Sequence, residues 1–101
     1  MTAVVQTVYP SLTTTAAAVA GLPPSVRYLR VHNPSATNKL AYTLDGTNPV
    51  IGGQGFTVAA GGTDIWDLMA SQSTIPGTNS SGPCLTMIGA ASQTASVAYS
   101  V

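Results

Sequence analysis

Apolar and polar residues alternate with a period of two along several short stretches, and no stretch sustains the 3.6-residue period of a helix. Leu40, Tyr42 and Leu44 share one face of such a stretch, and Phe56 and Val58 repeat the pattern. The alternation returns at the C-terminus, in residues 95–101. Between these stretches lie glycine, proline, asparagine and aspartate, the residues that turns require, as in the predicted turns at residues 33–35 and 45–49. About seven or eight short strands in 101 residues predict an all-β fold, a single small β-sandwich or jelly-roll-like domain.

Three local patterns give more specific expectations. Residues 26–32 are apolar on both faces, which predicts a central strand that is covered on both sides. Residues 13–20 begin with three threonines, which are poor helix formers, so a strand or an extended arm is favoured there. Residues 89–93 are rich in small and polar residues and predict the turn of a C-terminal hairpin.

The length allows one core, so the chain is expected to form one domain. Residues 1–24 are low in complexity and rich in threonine and alanine, and they are interpreted as an N-terminal arm or as the first strands. Residues 25–101 carry the remaining strand patterns and are assigned to the β-sandwich domain.

Charged residues make up only 6% of the chain, against about 25% in an average soluble domain. Three cations balance three anions, and the formal net charge is zero. Such a surface does not keep molecules apart, and it presents few ions whose desolvation would oppose contact. A chain that packs against other chains is therefore expected, and a monomeric extracellular module with a Ser/Thr/Gly-rich surface is the alternative.

Compartment and membrane signals are sparse. A single cysteine, Cys84, cannot form an internal disulfide, and no run of 18 or more apolar residues predicts a membrane span. The N-terminus lacks the basic region and apolar core of a signal peptide. Synthesis and folding in a cytoplasm, without a membrane partner, are expected.

The residues that usually carry catalysis do not form a recognisable set. His32 and Cys84 are the only candidates for a nucleophile–base pair, and neither has the spacing of a metal site. Asp64 and Asp67 lie three apart, so on a strand they point to opposite faces and cannot act on one bond. Turn capping and single ion pairs, to Arg27 or Arg30, are expected of them instead. No catalytic residue, metal, cofactor or small-molecule substrate is predicted.

Nucleic-acid binding is not expected either, because it requires a basic stripe that neutralises phosphates. Three cations offset by three anions do not provide one. The glycines of residues 52–55 are followed by neither Lys-Ser nor Lys-Thr, so they predict a turn and not a phosphate loop.

Protein contact is the function that the remaining side chains favour. Tryptophan and arginine are the residue types most enriched at the energetic centres of interfaces. On a strand, Trp66 shares one face with Asp64, opposite Ile65 and Asp67, so one face should meet the core and the other a neighbouring chain. A core position and a sugar-stacking role are the alternatives for Trp66. The candidate interface residues are Trp66, Arg27, Arg30, Tyr28 and Tyr9.

The pattern of residues 27–35 (RYLRVHNPS), 40–46, 52–62 (GGQGFTVAAGG) and 64–67 (DIWD) resembles a recurrent pattern in small structural proteins of tailed-bacteriophage particles. In those proteins, an R-x-L-x-(I/V)-x-N-x-S strand precedes a G-x-G-F/Y segment that ends in Gly-Gly, and a terminal hairpin follows. The likeness covers roughly residues 25–101 and consists of strands and turns, with no catalytic residue to transfer.

The resemblance implies a non-enzymatic β-sandwich component of the virion. A head decoration or cement protein, made and assembled in the bacterial host cytoplasm, is the first expectation. Its partners would then be the major capsid protein and copies of itself, with a trimer as the expected arrangement. A subunit associated with the tail, neck or fibre, and a carbohydrate- or receptor-binding module, are the alternatives.

Overall fold

The structure, a computed structural model, describes residues 5–19, 22, 26–71 and 85–101. These residues form ten short strands and no helix. The strands are β1 (Gln6–Val8), β2 (Ser11–Leu12), β3 (Ala17–Ala18), β4 (Tyr28–His32), β5 (Leu40–Thr43), β6 (Phe56–Val58), β7 (Thr63–Asp67), β8 (Thr86–Ile88), β9 (Gln93–Thr94) and β10 (Ser96–Ser100). The all-β prediction is confirmed.

Two four-stranded antiparallel sheets form the β-sandwich. The front sheet has the order β1-β10-β4-β7, and the back sheet has the order β3-β8-β5-β6. Residues from both sheets build one core, with Leu29 and Val31 of β4 facing Leu40 and Tyr42 of β5. These four side chains are fully buried. Burying one such aliphatic side chain contributes about 1.5–3 kcal/mol, so the alternation read from the sequence fixes which face of each strand is inside.

The N-terminal and C-terminal segments close one side of the sandwich. Strand β1 pairs with β10 in the front sheet, β2 pairs with β9 between the sheets, and β3 pairs with β8 in the back sheet. At the bend between them, the Ala95 amide donates a hydrogen bond of 3.0 Å to the Pro10 carbonyl. Residues 6–18 therefore run along residues 86–99 from one sheet to the other. Threonines 13–15 and the alanines that follow form no helix, as expected.

The prediction of a C-terminal hairpin is wrong. The Gln93 amide donates to the Ala90 carbonyl, so the predicted turn is present, but β8 and β10 lie in different sheets. Strand β9 pairs with the N-terminal strand β2 and not with β8. A period of two defines which face of a strand is buried and not which strand lies beside it, so the sequence pattern could not identify this crossover.

Strand β4 is central, as predicted, but it is covered on one face only. It lies between β10 and β7, with Leu29 and Val31 in the core. On its other face Arg30 is exposed, and Tyr28 and His32 are half-buried. Val26, which suggested a second apolar face, is buried but precedes the strand. The outer face of the front sheet is therefore open at β4 and β7, where Arg30 and Ile65 are exposed.

Asn33 ties three loops together at the end of β4. It is fully buried, and its Nδ2 donates to the carbonyls of Asn38, Ala59 and Val58 at 2.7, 3.2 and 3.3 Å. Its Oδ1 accepts from Gln93 Nε2 at 3.0 Å. Within the described residues, every buried side-chain nitrogen and oxygen has a hydrogen-bond partner. Asn33 and Gln93 thus replace the backbone pairing that the loops themselves lack.

Turn residues predicted from the sequence have the expected conformations. Gly46 has φ +82°, and the Asp45 carboxylate accepts from the Thr47 amide at 3.1 Å, as in an Asx turn. At Gly55, with φ +92°, a Cβ atom would lie 2.5 Å from the Tyr42 carbonyl oxygen. Only glycine fits this position without displacing β5, which sets the entry to β6.

Candidate interaction surfaces

The outer face of the front sheet carries two of the five candidate interface residues. Tyr28 and Arg30 on β4 point outward, with Ile65 and Asp67 of β7 directly opposite them. Ile65 is 61% exposed and lies opposite Arg30, which is also exposed. An apolar side chain paired with a long cation is a combination typical of protein-contact surfaces, and Asp67 is the other charged strand residue on this face.

A groove of about 420 Å³ lies on this face, between β4 and β7. Its lining comprises Arg30, His32, Thr63 and Ile65. The ring Nδ1 of His32 and Thr63 Oγ1 are hydrogen-bonded at 2.8 Å across the two strands. The strand-end histidine is therefore held by a hydroxyl group, as expected of a residue with a structural role.

Trp66 faces the opposite way and forms a polar link between the sheets. Its Nε1 donates a hydrogen bond of 2.8 Å to the hydroxyl of Tyr42, and that hydroxyl donates to Asp64 Oδ2, also at 2.8 Å. Tyr42 belongs to the back sheet, whereas Asp64 and Trp66 belong to the front sheet. Burial raises the pKa of the Tyr42 hydroxyl far above its ordinary value, and the neighbouring Asp64 carboxylate adds to that increase. Tyr42 therefore remains a hydrogen-bond donor at neutral pH.

An aromatic groove lies beside this link, on the side of the sandwich formed by β6 and β7. The Phe56 ring is 43% exposed and meets the Trp66 ring edge-on, with ring centres 5.1 Å apart. The groove has a volume of about 510 Å³, and Asp45 and Gln54 add polar groups to its rim. The Thr47 hydroxyl donates to Asp45 and lowers the pKa of that carboxyl, which keeps it ionised.

The remaining two candidates lie elsewhere. Arg27 precedes β4, is half-buried, and its backbone bonds to Ser100 on one side and to Leu68 on the other. Tyr9 is 69% exposed and lies between β1 and β2, at the far edge of the front sheet from β7. The five candidates therefore occupy separate surfaces, and only Tyr28 and Arg30 share one.

Asp64 and Asp67 point to opposite faces of β7, as the spacing predicted. The partner of Asp64 is Tyr42, and Asp67 accepts a hydrogen bond from the Met69 amide at 3.1 Å. In the described part of the chain these carboxylates thus have hydrogen-bond partners where ion pairs to Arg27 or Arg30 were expected. The aromatic hydroxyl replaces an arginine because Asp64 points into the sandwich, whereas Arg30 points outward.

Chemistry-bearing side chains are scattered over the fold. Among the residues described, no three His, Cys, Asp or Glu side chains lie close enough to hold a metal ion. Cys84, and with it the His32–Cys84 pair, lies outside the described residues. No helix in the described ranges is long and apolar enough to cross a membrane.

Comparison with known proteins gives no relative. No family model, curated protein or solved structure matches this chain. The function is therefore argued from the surfaces of the chain itself and from the resemblance in its strand pattern.

Two surface residues were missed from the sequence. Ile65 and Phe56 are the exposed apolar side chains of the outer face and the aromatic groove. The alternation at residues 64–67 contained the signal for Ile65, because the side chain next to an inward Trp66 must point outward. Phe56 lies two residues before the buried Val58, so the alternation places both on the core face. Phe56 is nevertheless exposed, because it lies at the start of β6.

Proposed function

We propose that this chain is a non-enzymatic structural protein of a tailed-phage particle that binds the capsid shell through the outer face of its front sheet. One observation carries the proposal: Ile65 and Arg30 lie exposed and directly opposite each other on a face whose other charged residue, among the strands of the front sheet, is Asp67. The phage particle as the setting comes from the strand pattern of residues 25–101. Major capsid protein and further copies of this chain are the proposed partners.

The physics of such a surface favours adhesion. Each Å² of apolar surface removed from water contributes about 25 cal/mol before the costs of ordering are subtracted. Six charged side chains in 101 residues leave little charge to desolvate and little Coulomb attraction for salt to screen. Attachment to a shell should therefore be insensitive to ionic strength. Many identical sites on a shell multiply a contact that is modest for each copy.

Loss of the Arg30 side chain should weaken attachment. Truncation of a central interface arginine costs about 2 kcal/mol or more, which is roughly a thirtyfold loss of affinity. Lys39→Ala is the matched control, because Lys39 is exposed and lies outside the outer face. The measurement is co-sedimentation of purified protein with particles that lack it, over a range of protein concentrations.

The expected result is a large loss for Arg30→Ala and an unchanged affinity for Lys39→Ala, with both variants folded. Equal affinities for the wild type and Arg30→Ala would reject the outer face as the attachment surface. Attachment that disappears when salt is raised would contradict the low-charge argument.

The aromatic groove supports a second candidate function, binding of a sugar. Phe56 and Trp66 offer ring surfaces, and Asp45 and Gln54 offer hydrogen-bonding groups beside them. Trp66 is the only tryptophan, so its fluorescence reports directly on this groove. A saturable change on titration with mono- and oligosaccharides would support this candidate. Unchanged emission up to about 10 mM sugar, a concentration that reveals even weak sites, would remove it.

A further inference from the structure

Among the described residues, the backbone groups on the outer edge of β7 have no partner. On one side β7 pairs with β4, and no described strand pairs with its other side. Leu68 donates to the Arg27 carbonyl at 2.8 Å, and Asn33 donates to the Gly62 carbonyl at 2.9 Å. Since bonded pairs alternate in an antiparallel ladder, residues 64 and 66 also bond to β4. The amides and carbonyls of Thr63, Ile65 and Asp67 therefore point away from the sheet.

Little in the described part of the chain protects this edge from another strand. Natural edge strands carry charged side chains, above all lysine, or proline or a bulge, and of these β7 (Thr63–Asp67) has only the outward carboxylate of Asp67, at its end. An inward charge can also protect an edge, but Asp64 is already hydrogen-bonded by Tyr42. A groove of about 290 Å³, lined by Thr63, Asp64, Ile65 and Trp66, follows the edge. An extended strand has room to lie there.

We propose that β7 pairs with β7 of a second copy, antiparallel, with Ile65 opposite Ile65 on a two-fold axis. In this register Thr63 lies opposite Asp67 of the other copy, and Asp64 lies opposite its Trp66. The outward backbone groups of Thr63, Ile65 and Asp67 then all find partners. The two front sheets join into one continuous eight-stranded sheet.

Charge selects this register over its neighbours. A shift of the two-fold axis to Asp64 or to Asp67 places two carboxylates directly opposite each other, which is unfavourable. A shift to Trp66 leaves Thr63 without a partner strand. Only the register centred on Ile65 pairs every residue of β7 and opposes no like charges. The zero net charge of the chain means that two copies do not repel each other.

The pairing does not depend on shell binding. The two outer faces of the dimer would lie side by side, so the dimer would present two attachment patches in one plane. A two-fold contact is closed and uses the same surface on both copies. A trimer would need a different, head-to-tail contact, and its mass distinguishes it from this dimer.

Cysteine cross-linking in a Cys84→Ser background tests the register. Directly opposite residues have Cα atoms about 5.5 Å apart, within the reach of a disulfide. Ile65→Cys should therefore cross-link to itself under mild oxidation. Thr63→Cys and Asp67→Cys should cross-link only when the two variants are mixed, because each lies about 14 Å from its own symmetry mate. Arg30→Cys, one strand farther in, is the control and should not cross-link, although the non-covalent dimer still forms.

Sedimentation equilibrium of the purified protein, without particles, tests the association itself. The wild type should reach the mass of a dimer at concentrations up to about 1 mM. Ile65→Lys should remain monomeric, because it places two cations opposite each other on the axis. Ile65→Pro should also remain monomeric, because it removes an amide that has no partner within its own chain.

Three results would overturn the proposal. They are a wild-type monomer over the whole concentration range, a dimer that Ile65→Lys leaves intact, and cross-links in another register. A wild-type monomer whose attachment to particles survives Arg30→Ala but is abolished by Ile65→Pro would show that a strand of a shell protein occupies the edge instead. Failure of shell attachment for Arg30→Ala, with the dimer intact, leaves the self-association standing.

Discussion

Asn33→Asp is expected to remove much of the protein's stability at neutral pH, although the substitution changes neither the size nor the shape of the side chain. The Asn33 amide nitrogen faces three backbone carbonyls, the nearest at 2.7 Å. A carboxylate would set an oxygen against these oxygens, and the donors that reach residue 33, Gln93 Nε2 and the Ser35 amide, face its other oxygen. Burial of a charge against these carbonyl oxygens lowers the free energy of unfolding by more than about 4 kcal/mol. This is much of the roughly 5–15 kcal/mol stability of a small domain.

Thermal unfolding followed by circular dichroism measures the effect. Asn38→Asp is the matched control, because Asn38 is exposed and supplies only its carbonyl to the network, so its unfolding free energy should change by less than about 0.5 kcal/mol. A protonated carboxyl can donate one hydrogen bond, so the stability of Asn33→Asp should increase as the pH falls toward about 4. A melting temperature within a few degrees of the wild type at pH 7 would show that Asn33 does not hold the loops together.

Tyr42→Ala should be the most damaging substitution among the aromatic residues. Its ring is fully buried between the sheets, and the Phe56 ring packs against it with centres 5.3 Å apart. Loss of a buried aromatic side chain costs about 3–5 kcal/mol. Tyr42→Phe keeps the ring and removes only the hydroxyl, which leaves Asp64 and the Trp66 Nε1 without their partner, at a cost of about 1–3 kcal/mol. The difference between the two variants separates packing from the polar link.

The Tyr42 hydroxyl also predicts an alkaline limit to stability. Its pKa is raised in the folded state, first by burial, so the unfolded chain releases the proton at a lower pH. Above the ordinary tyrosine pKa of about 10, the unfolded state binds fewer protons and stability falls with rising pH, by up to about 1.4 kcal/mol per pH unit. Below that pH the contribution is complete. Urea unfolding of the wild type and Tyr42→Phe between pH 8 and about 11.5 measures this component, which the variant should lack.

Tyr9→Phe serves as the control for Tyr42→Phe, because Tyr9 is exposed and its hydroxyl bonds to no group in the described structure. Loss of this exposed hydroxyl should change the unfolding free energy at pH 8 by less than about 0.5 kcal/mol. If Tyr42→Phe and the wild type lose stability in parallel above pH 10, the link between Tyr42, Asp64 and Trp66 is not the group that titrates.

The sequence predicted which face of each strand is buried better than it predicted which strands pair. Leu29 and Val31 of β4, and Leu40 and Tyr42 of β5, are in the core because burial of alternate residues is a local property. Which strands pair is a long-range property, so the pairing of β2 with β9 and the crossover after β8 were not predictable from a period of two. The Asp45–Gly46 turn was predictable because its hydrogen bonds join residues two apart in the chain.

The functional surfaces were predictable only in part, for the same reason. Trp66, Tyr28 and Arg30 were identified by residue type, and their strand positions then decided that Trp66 points inward and the others outward. The partner of Trp66 was not predictable, since Tyr42 is 24 residues away and in the other sheet. Asn33 was identified as a turn residue, and its burial depends on carbonyls 25 and 26 residues along the chain. Contacts of this kind leave no local pattern.

Quantitative mass spectrometry of purified phage particles tests the central proposal most directly. Under the proposal, the sample is particles of the phage whose genome would encode this chain, washed in high salt, with the chain counted against the major capsid protein. A shell-binding protein with a nearly uncharged contact surface should remain attached and be present in hundreds of copies per particle. Its absence from washed particles, or its presence only as a free protein in the lysate, would contradict the account.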